Sequence, residues 1–138
     1  MSLGGILAPH FCMMANRIRT YKELRVYNLA FEAAMEIFHA TKDFPNEEKY
    51  SLVDQMRRSS RSVCANIVEA WRKRRYRKAF ILKLNDSESE ACETQVWLQF
   101  ARACGYIDAE LEARLEDRYS HIISQLFLMM KGADKWTL

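Results

Sequence analysis

Glu36 and His39 have the spacing of a metal-ligand pair, because they lie three positions apart on a predicted helix. Di-metal sites in helical bundles use such Glu-x-x-His pairs, and they need one pair on each of two helices. A second histidine, His121, has Arg118 at the corresponding position. One pair cannot hold two metal ions, so the sequence predicts no metal and no cofactor. We expect a protein that is not an enzyme.

The four cysteines also show no metal-binding pattern. Cys12, Cys64, Cys92 and Cys104 include no C-x-x-C pair and share no ligand spacing with the histidines. On the apolar face of a helix, cysteine usually packs as a small hydrophobic residue. We interpret all four as small buried hydrophobic residues, which fits the reducing cytoplasm.

Basic side chains are concentrated between positions 57 and 78. This segment has nine basic residues and one acid, a charge of +8 in a chain of net charge +3. At 100° per residue its arginines lie opposite the apolar positions of a helix. Arginine binds phosphate through paired hydrogen bonds, and aromatic rings stack on unpaired bases. The predicted nucleic-acid site, here called the basic stripe, is Arg57, Arg58, Arg61, Trp71, Arg72, Lys73, Arg74, Arg75, Tyr76, Arg77 and Lys78.

Two other roles for the basic stripe stay open from the sequence. Residues 86–117 have nine acids and two arginines, a net charge of −7. These acids could pair with the stripe, within one chain or between subunits. The stripe could also meet an acidic partner protein, which would make the molecule a protein–protein adaptor. We favour RNA, because the interleaved aromatic residues suit unpaired bases better than duplex DNA.

Gln55, Asn66 and Glu69 are polar residues that flank the apolar face of the same predicted helix. Buried polar groups at spaced helical positions fix register or a subunit interface more often than they perform chemistry. We therefore predict that these three residues form a structural polar cluster inside the fold.

Long helices must position these side chains, because residues that form turns are scarce. The chain has four glycines and two prolines, and neither type occurs between Pro45 and Gly105. Sandwiches and barrels of many short strands need turn residues throughout, so those classes are excluded. Phosphate-binding glycine loops are excluded as well, because the body of the chain has no closely spaced glycines. No apolar run approaches the ~20 residues of a membrane span, so we expect no membrane partner.

Residues that begin or end helices, together with the periodicity of apolar residues, predict four helices. The first spans 21–42, with a capping box at Thr20 and Glu23, and the second runs from a cap at Ser51 to 73. The third follows a break at 74–76 and ends at Gly105, and the fourth runs from a cap at Asp108 to residue 132. The predicted fold is an all-α, antiparallel up-and-down four-helix bundle. It spans 19–132, after a disordered leader (1–18) and before a short C-terminal tail (133–138).

Each predicted helix has an apolar stripe that can face a core. The stripes are Leu24, Tyr27, Phe31, Ala34 and Phe38; Leu52, Met56, Ser59, Val63, Ile67 and Ala70; Phe80, Leu84, Ser87, Ala91, Thr94, Leu98 and Ala101; and Leu111, Leu115, Tyr119, Ile122, Leu126 and Met129.

Apolar residues remain outside these stripes. The first helix has a second line of them at Val26, Ala30, Ala33 and Ile37. Either the core is unusually wide, or the chain self-associates, and we favour self-association because small monomers rarely expose so much apolar surface. The predicted oligomer interface is Val96, Phe100, Ile123 and Phe127.

Between about 21 and 130 the chain resembles a bacterial family, the 23S rRNA-intervening-sequence proteins. The matching features are Asp43-Phe44-Pro45 with Glu48, Tyr50 and Leu52; Gln55-Met56-Arg57-Arg58-Ser59; Ser62-Val63-x-x-Asn66-Ile67-x-Glu69; Phe80 with Leu84; Glu93-Thr94-Gln95; and Gly105-Tyr106. Two features depart from the family pattern: Ala70 replaces a usual glycine, and the pair Ser87-Glu88 replaces Gly-Ser.

The resemblance implies a homopentameric ring of up-and-down bundles, encoded in some bacteria within intervening sequences of rRNA genes. It does not imply a settled biochemical function. A related branch with the same fold serves diversity-generating retroelements, in which an accessory pentamer binds the reverse transcriptase and its template RNA. The sequence does not choose between the branches, and a neighbouring reverse-transcriptase gene would decide.

Overall fold

The computed structural model describes residues 18–138, which fold into four long helices and one short one. The helices are α1 (Arg25–Thr41), α2 (Leu52–Arg72), α3 (Arg77–Ala103), α4 (Ala109–Lys131) and α5 (Ala133–Trp136), with 3-10 turns at Tyr21–Glu23 and Asn46–Glu48. Each long helix packs against its neighbours in sequence, and α1 also packs against α4. Because short connections make successive helices antiparallel, the molecule is an up-and-down four-helix bundle, as predicted.

The connection between α3 and α4 forms as the sequence predicts. Gly105 has φ +78°, a left-handed conformation that favours glycine. The Tyr106 amide donates to the Ala101 carbonyl at 2.9 Å, and the Gly105 amide donates to the Arg102 carbonyl at 3.1 Å. This pair of bonds is a Schellman motif. Asp108 then caps α4 by accepting a 2.8 Å hydrogen bond from the Leu111 amide.

The predicted caps at Thr20 and Ser51 form in part. The Thr20 hydroxyl caps the 3-10 turn by accepting from the Lys22 amide at 3.3 Å, but the Glu23 carboxylate accepts from the Arg19 amide at 2.8 Å instead of from the cap residue itself. The α-helical hydrogen bonds of α1 therefore start one turn later, at Arg25. Ser51 precedes α2, but its hydroxyl makes no capping bond.

The core stripes predicted for α2 and α3 are buried throughout, and that of α4 is buried from Leu115 onward, with Leu111 partly buried. Serine and threonine hydroxyls join the first two stripes. Thr94 donates to Ser59 at 2.8 Å, and Ser87 of α3 donates to the Val63 carbonyl of α2 at 2.8 Å. These small residues let α2 and α3 approach closely, and hydrogen bonds satisfy the polar groups that the contact buries.

The core stripe predicted for α1 is wrong beyond Leu24. The residues that face the core are the second line, Val26, Ala30, Ala33 and Ile37, all at most 1% exposed. Small side chains allow α1 to sit close to its neighbours, whereas the bulkier stripe lies outside. There Phe31 is 50% exposed. Tyr27, Phe31, Ala34, Met35 and Phe38 form one wall of a groove of about 330 Å³ between α1 and α2.

The predicted C-terminal tail is ordered against the bundle. Ala133 is buried, and the Leu138 amide donates to the Arg74 carbonyl at 3.0 Å. The predicted leader lies outside the described residues, apart from Ile18 at its end. Within residues 18–138, no helix combines the length and the apolar character that a membrane span requires.

Candidate nucleic-acid interface

The first arginine of the basic stripe, Arg57, is held by the bundle itself. Its Nε donates to the Thr41 hydroxyl at 3.0 Å, and a terminal nitrogen donates to the Phe38 carbonyl at 3.4 Å. The guanidinium also lies over the Phe38 ring, 4.8 Å from its centroid. The sequence places Arg57 in the nucleic-acid site, whereas in the structure its side chain is partly buried and its hydrogen bonds tie the end of α1 to α2.

Arg58 is also paired within the chain. Its guanidinium forms ion pairs with Glu93 and, at 3.4 Å, with Glu90, both on α3. The hydrogen bond that Arg58 donates to Glu93 raises the pKa of Arg58, and burial together with the charge of Glu93 raises the pKa of Glu90. Part of the acidic stretch thus neutralises the stripe within one subunit, which is one of the alternatives that the sequence left open.

Arg61 occupies a different setting, because it lines the groove between α1 and α2 and is exposed. It makes no ion pair with any residue of the described chain. Its charge therefore stands beside the aromatic residues Phe31 and Phe38 and not beside an acid.

The strongest uncompensated charge lies where α2 turns into α3. Residues 72–78, here called the basic corner, include six basic residues and no acid. Arg72, Lys73, Arg75 and Lys78 are all exposed, and none forms an ion pair with an acid among residues 18–138. Tyr76 is 67% exposed. Phosphates can reach these four cations, and an unpaired base can reach the Tyr76 ring.

Trp71 does not offer a stacking surface, contrary to the prediction. It is 4% exposed, and the guanidinium of Arg74 covers its ring at 3.4 Å from the centroid. Arg74 also donates from Nε to the Trp71 carbonyl at 2.9 Å. Burial, with the charge of Arg72, lowers the pKa of Arg74. Trp71 lies about 40° around the helix from the core residue Ile67, a signal that could have predicted its burial.

Arg77, the first residue of α3, is paired with the C-terminal segment. Its Nε lies 2.7 Å from a carboxylate oxygen of Asp134 in α5. Both side chains are mostly exposed, so solvent screens this ion pair strongly. Together with the Leu138–Arg74 bond, the pair places α5 directly beside the basic corner.

The predicted polar cluster does not form. Gln55 accepts from Arg58 at 3.3 Å, and Asn66 donates to the carbonyl and hydroxyl of Ser62. Glu69 binds Lys83 at 2.8 Å, and that hydrogen bond lowers the pKa of Glu69. The three residues are bonded separately on the surface of α2, while the buried polar contacts between helices come from the hydroxyls of the core stripes.

Three of the four predicted interface residues are exposed. Val96 is 43%, Phe100 53% and Phe127 57% exposed, whereas Ile123 is half-buried and packs against the core. Phe100 lies near the end of α3, and Phe127 lies near the opposite end of the bundle, so roughly 20 Å separates them along the axis. They are parts of an extended apolar face and not one compact patch.

The residues that could bind a metal or react as thiols have other roles in the structure. Glu36 forms ion pairs with Arg114 and Arg118 at 3.0 and 3.1 Å. In the described chain, no three His, Cys, Asp or Glu side chains come together as a metal site would require. Cys92 and Cys104 are exposed, so the prediction that they are buried is wrong, whereas Cys64 is partly buried and burial raises the pKa of its thiol to about 11. It therefore stays protonated at neutral pH.

Comparison with known proteins supports the helical fold and identifies the family. Among curated proteins there is no match. The fold matches the crystal structure of a protein with unknown function from the S23 ribosomal protein family of Bacteroides thetaiotaomicron VPI-5482, with a TM-score of 0.69 and 33% identity. That match covers 77% of this chain and 95% of the other. A sequence model described as 23S rRNA-intervening sequence protein matches residues 22–127. The chain therefore belongs to the 23S rRNA-intervening sequence protein family.

Proposed function

We propose that this protein is an oligomeric, non-enzymatic RNA-binding bundle whose RNA contacts lie at the basic corner. The single observation that carries the proposal is the set of four exposed cations, Arg72, Lys73, Arg75 and Lys78, which form no ion pair with an acid of the described chain. Cations clustered without counter-charges attract a polyanion and release its counterions on binding. We place the protein in the cytoplasm, where it would meet RNA.

The proposed recognition is electrostatic and does not depend on base sequence. Guanidinium groups bind phosphates in pairs of hydrogen bonds, and the exposed Tyr76 ring can stack on an unpaired base. Both features favour single-stranded or looped RNA over duplex DNA, whose bases are already stacked. The buried Trp71 takes no part in this contact and instead fixes the position of Arg74.

We further propose that the protein forms a ring of identical subunits, most simply the pentamer that the family resemblance implies. Two different apolar surfaces support association: the groove beside Phe31 on α1–α2, and the face of α3–α4 that includes Phe100 and Phe127. Contact between unlike surfaces generates a closed ring when the rotation permits. Each ring would then present several basic corners to one RNA, which raises the apparent affinity.

The test is a gel-shift titration of the intact oligomer with single-stranded and structured RNA, at low and moderate salt. The corner variant combines Arg72→Gln, Arg75→Gln and Lys78→Gln. A matched control combines Lys42→Gln, Lys49→Gln and Arg102→Gln, exposed residues at the other end of the bundle. Both variants remove three charges, so net charge alone cannot separate them.

We expect the corner variant to bind RNA weakly and the control to bind nearly as well as the parent protein. Arg74 is retained, because its stacking on Trp71 supports the fold. If the parent oligomer binds neither RNA at micromolar concentration, or if the two variants lose affinity equally, the proposal fails. The protein–protein adaptor with an acidic partner then becomes the better explanation.

A further inference from the structure

The topology of the bundle brings three separate basic segments to one end. In an antiparallel bundle, the start of α1, the α2–α3 turn and the end of α4 lie together. Residues 19–25, 72–78 and 131–135, here called the basic end, contain eleven basic and two acidic residues, a net +9. The opposite end, residues 42–54 and 102–112, contains three basic and seven acidic residues, a net −4.

Direct contacts join these segments. The Arg77–Asp134 ion pair and the Leu138–Arg74 hydrogen bond fasten α5 to the basic corner. The turn at Tyr21–Glu23 packs against α2. The basic end is therefore one continuous surface, and its C-terminal and N-terminal parts contribute the exposed cations Lys131, Lys135, Lys22 and Arg25.

The first turns of the helices differ in charge between the two ends of the bundle. A helix N-terminus favours acidic side chains, which complement its dipole. At the opposite end, α2 has Asp54 and α4 has Glu110 and Glu112 in the first turn. At the basic end, α1 and α3 have no acid in the first turn, and they begin with Arg25 and Arg77. Their free amide groups add to the positive potential of this end.

Little in the described chain offsets that charge. The nearby acid Glu69 is bound to Lys83, and the charge of Lys73 acts on it more weakly, lowering its pKa after the Lys83 contact. The acids of the opposite end lie tens of ångströms away along helices of 17 to 27 residues, whereas salt screens charges beyond about 8 Å. We propose that the whole basic end is one phosphate-binding platform for RNA, wider than the basic corner, and that Asp134 competes with RNA phosphates for Arg77. This inference rests on the proposed function and adds residues of segments 19–25 and 131–135 to the RNA-binding surface.

The test measures binding of a 20-nucleotide single-stranded RNA in 0.1 M salt. One variant combines Lys131→Gln with Lys135→Gln, and another combines Lys22→Gln with Arg25→Gln. The control is Lys42→Gln with Lys49→Gln. Each lost contact should lower affinity roughly fivefold, because a log–log slope of about 0.7 per phosphate corresponds to that factor at 0.1 M salt. The control should change affinity less than about twofold.

Asp134→Asn is expected to raise RNA affinity instead of lowering it, so a general loss of folding could not produce the expected result. It frees Arg77 and should raise affinity by up to about fivefold, if one phosphate contact is gained. Asp43→Asn removes an exposed acid at the opposite end and should leave affinity unchanged. Circular dichroism and thermal melting check that all variants fold.

The outcomes separate the inference from the proposed function. If the parent protein binds no RNA, both fail. If the parent binds and the corner variant loses affinity, but the Lys131/Lys135 and Lys22/Arg25 variants bind like their control, the platform is overturned while the basic corner stands. An unchanged affinity of Asp134→Asn overturns the competition between Asp134 and phosphate.

Discussion

The two halves of the basic stripe are both rich in arginine but have different surroundings. In the first half, Arg57 and Arg58 face neighbouring helices and are bonded to Thr41, Phe38, Glu90 and Glu93. In the second half, at the basic corner, Arg72, Lys73, Arg75 and Lys78 form no ion pair with an acid in residues 18–138. Arg57 and Arg58 therefore hold the bundle together, Arg61 stays exposed without an ion pair in the described chain, and the four unpaired cations of the basic corner are available to a ligand.

This difference has a simple physical origin. Arg57 and Arg58 lie on the sides of α2 that border α1 and α3, so their long side chains reach carbonyls and carboxylates of those helices. A residue in a turn at the end of the bundle has few neighbours and stays in solvent. Position within the fold, and not residue type, therefore separates arginines that stabilise the bundle from arginines that can bind phosphate.

Disrupting the assembly should have the largest effect. Phe100→Glu places a charge on the exposed apolar face and should dissociate the oligomer while helicity is retained. Avidity across several basic corners would then be lost, which lowers apparent affinity for a long RNA on the order of a hundredfold or more. Light scattering and RNA titration measure both effects.

The matched control for Phe100→Glu is Ser89→Glu, which adds the same charge at an exposed, non-apolar position of α3. It should leave the assembly intact. A parent protein that is monomeric at all concentrations would contradict the proposed ring. A dissociated variant with higher RNA affinity would mean that neighbouring subunits cover the basic corner.

Truncating Arg57 should destabilise the fold without weakening RNA binding. Arg57→Ala removes two hydrogen bonds and the cover over Phe38, and should lower the free energy of unfolding by about 1–2 kcal/mol. Arg61→Ala, which removes an exposed arginine one turn later, should change it by less than about 0.5 kcal/mol. Chemical denaturation measures both, and equal values for the two variants would contradict the assignment.

Arg58→Ala should have a smaller effect, below about 1 kcal/mol, because the ion pairs of Arg58 are partly exposed. The loss should depend on pH. Without Arg58 the pKa of Glu90 rises further, so the variant is penalised when Glu90 is ionised. Its deficit in melting temperature should be largest at neutral pH and should narrow as the pH falls through the range in which Glu90 gains a proton. A deficit that grows on acidification would contradict this account.

Much of the fold follows from the sequence because long helices repeat a fixed angle. The stripes of α2 and α3 each contain one set of apolar and small residues, so periodicity selects the buried face. Helix α1 has two parallel lines of apolar residues, and periodicity alone does not show which line is buried. The line of Ala30 and Ala33 is buried because small residues allow close packing, and the bulkier line with Phe31 is left outside.

The basic stripe could be identified from the sequence, but its division could not. The pairing of Arg58 with Glu90 and Glu93 depends on how α2 and α3 align across their interface. The spacing of residues within α2 does not show how the two helices align. The docking of Asp134 beside Arg77 likewise depends on where the chain goes after α4.

The most direct test compares matched pairs from the two halves. One variant combines Arg57→Gln and Arg58→Gln, and the other combines Arg72→Gln and Arg75→Gln, so each loses two positive charges. The measurement is the salt dependence of single-stranded RNA affinity. We predict that the log–log slope becomes less steep by about 1.4 for the Arg72/Arg75 pair and stays unchanged for the Arg57/Arg58 pair. Equal changes for the two pairs, or a larger change for Arg57/Arg58, would contradict it.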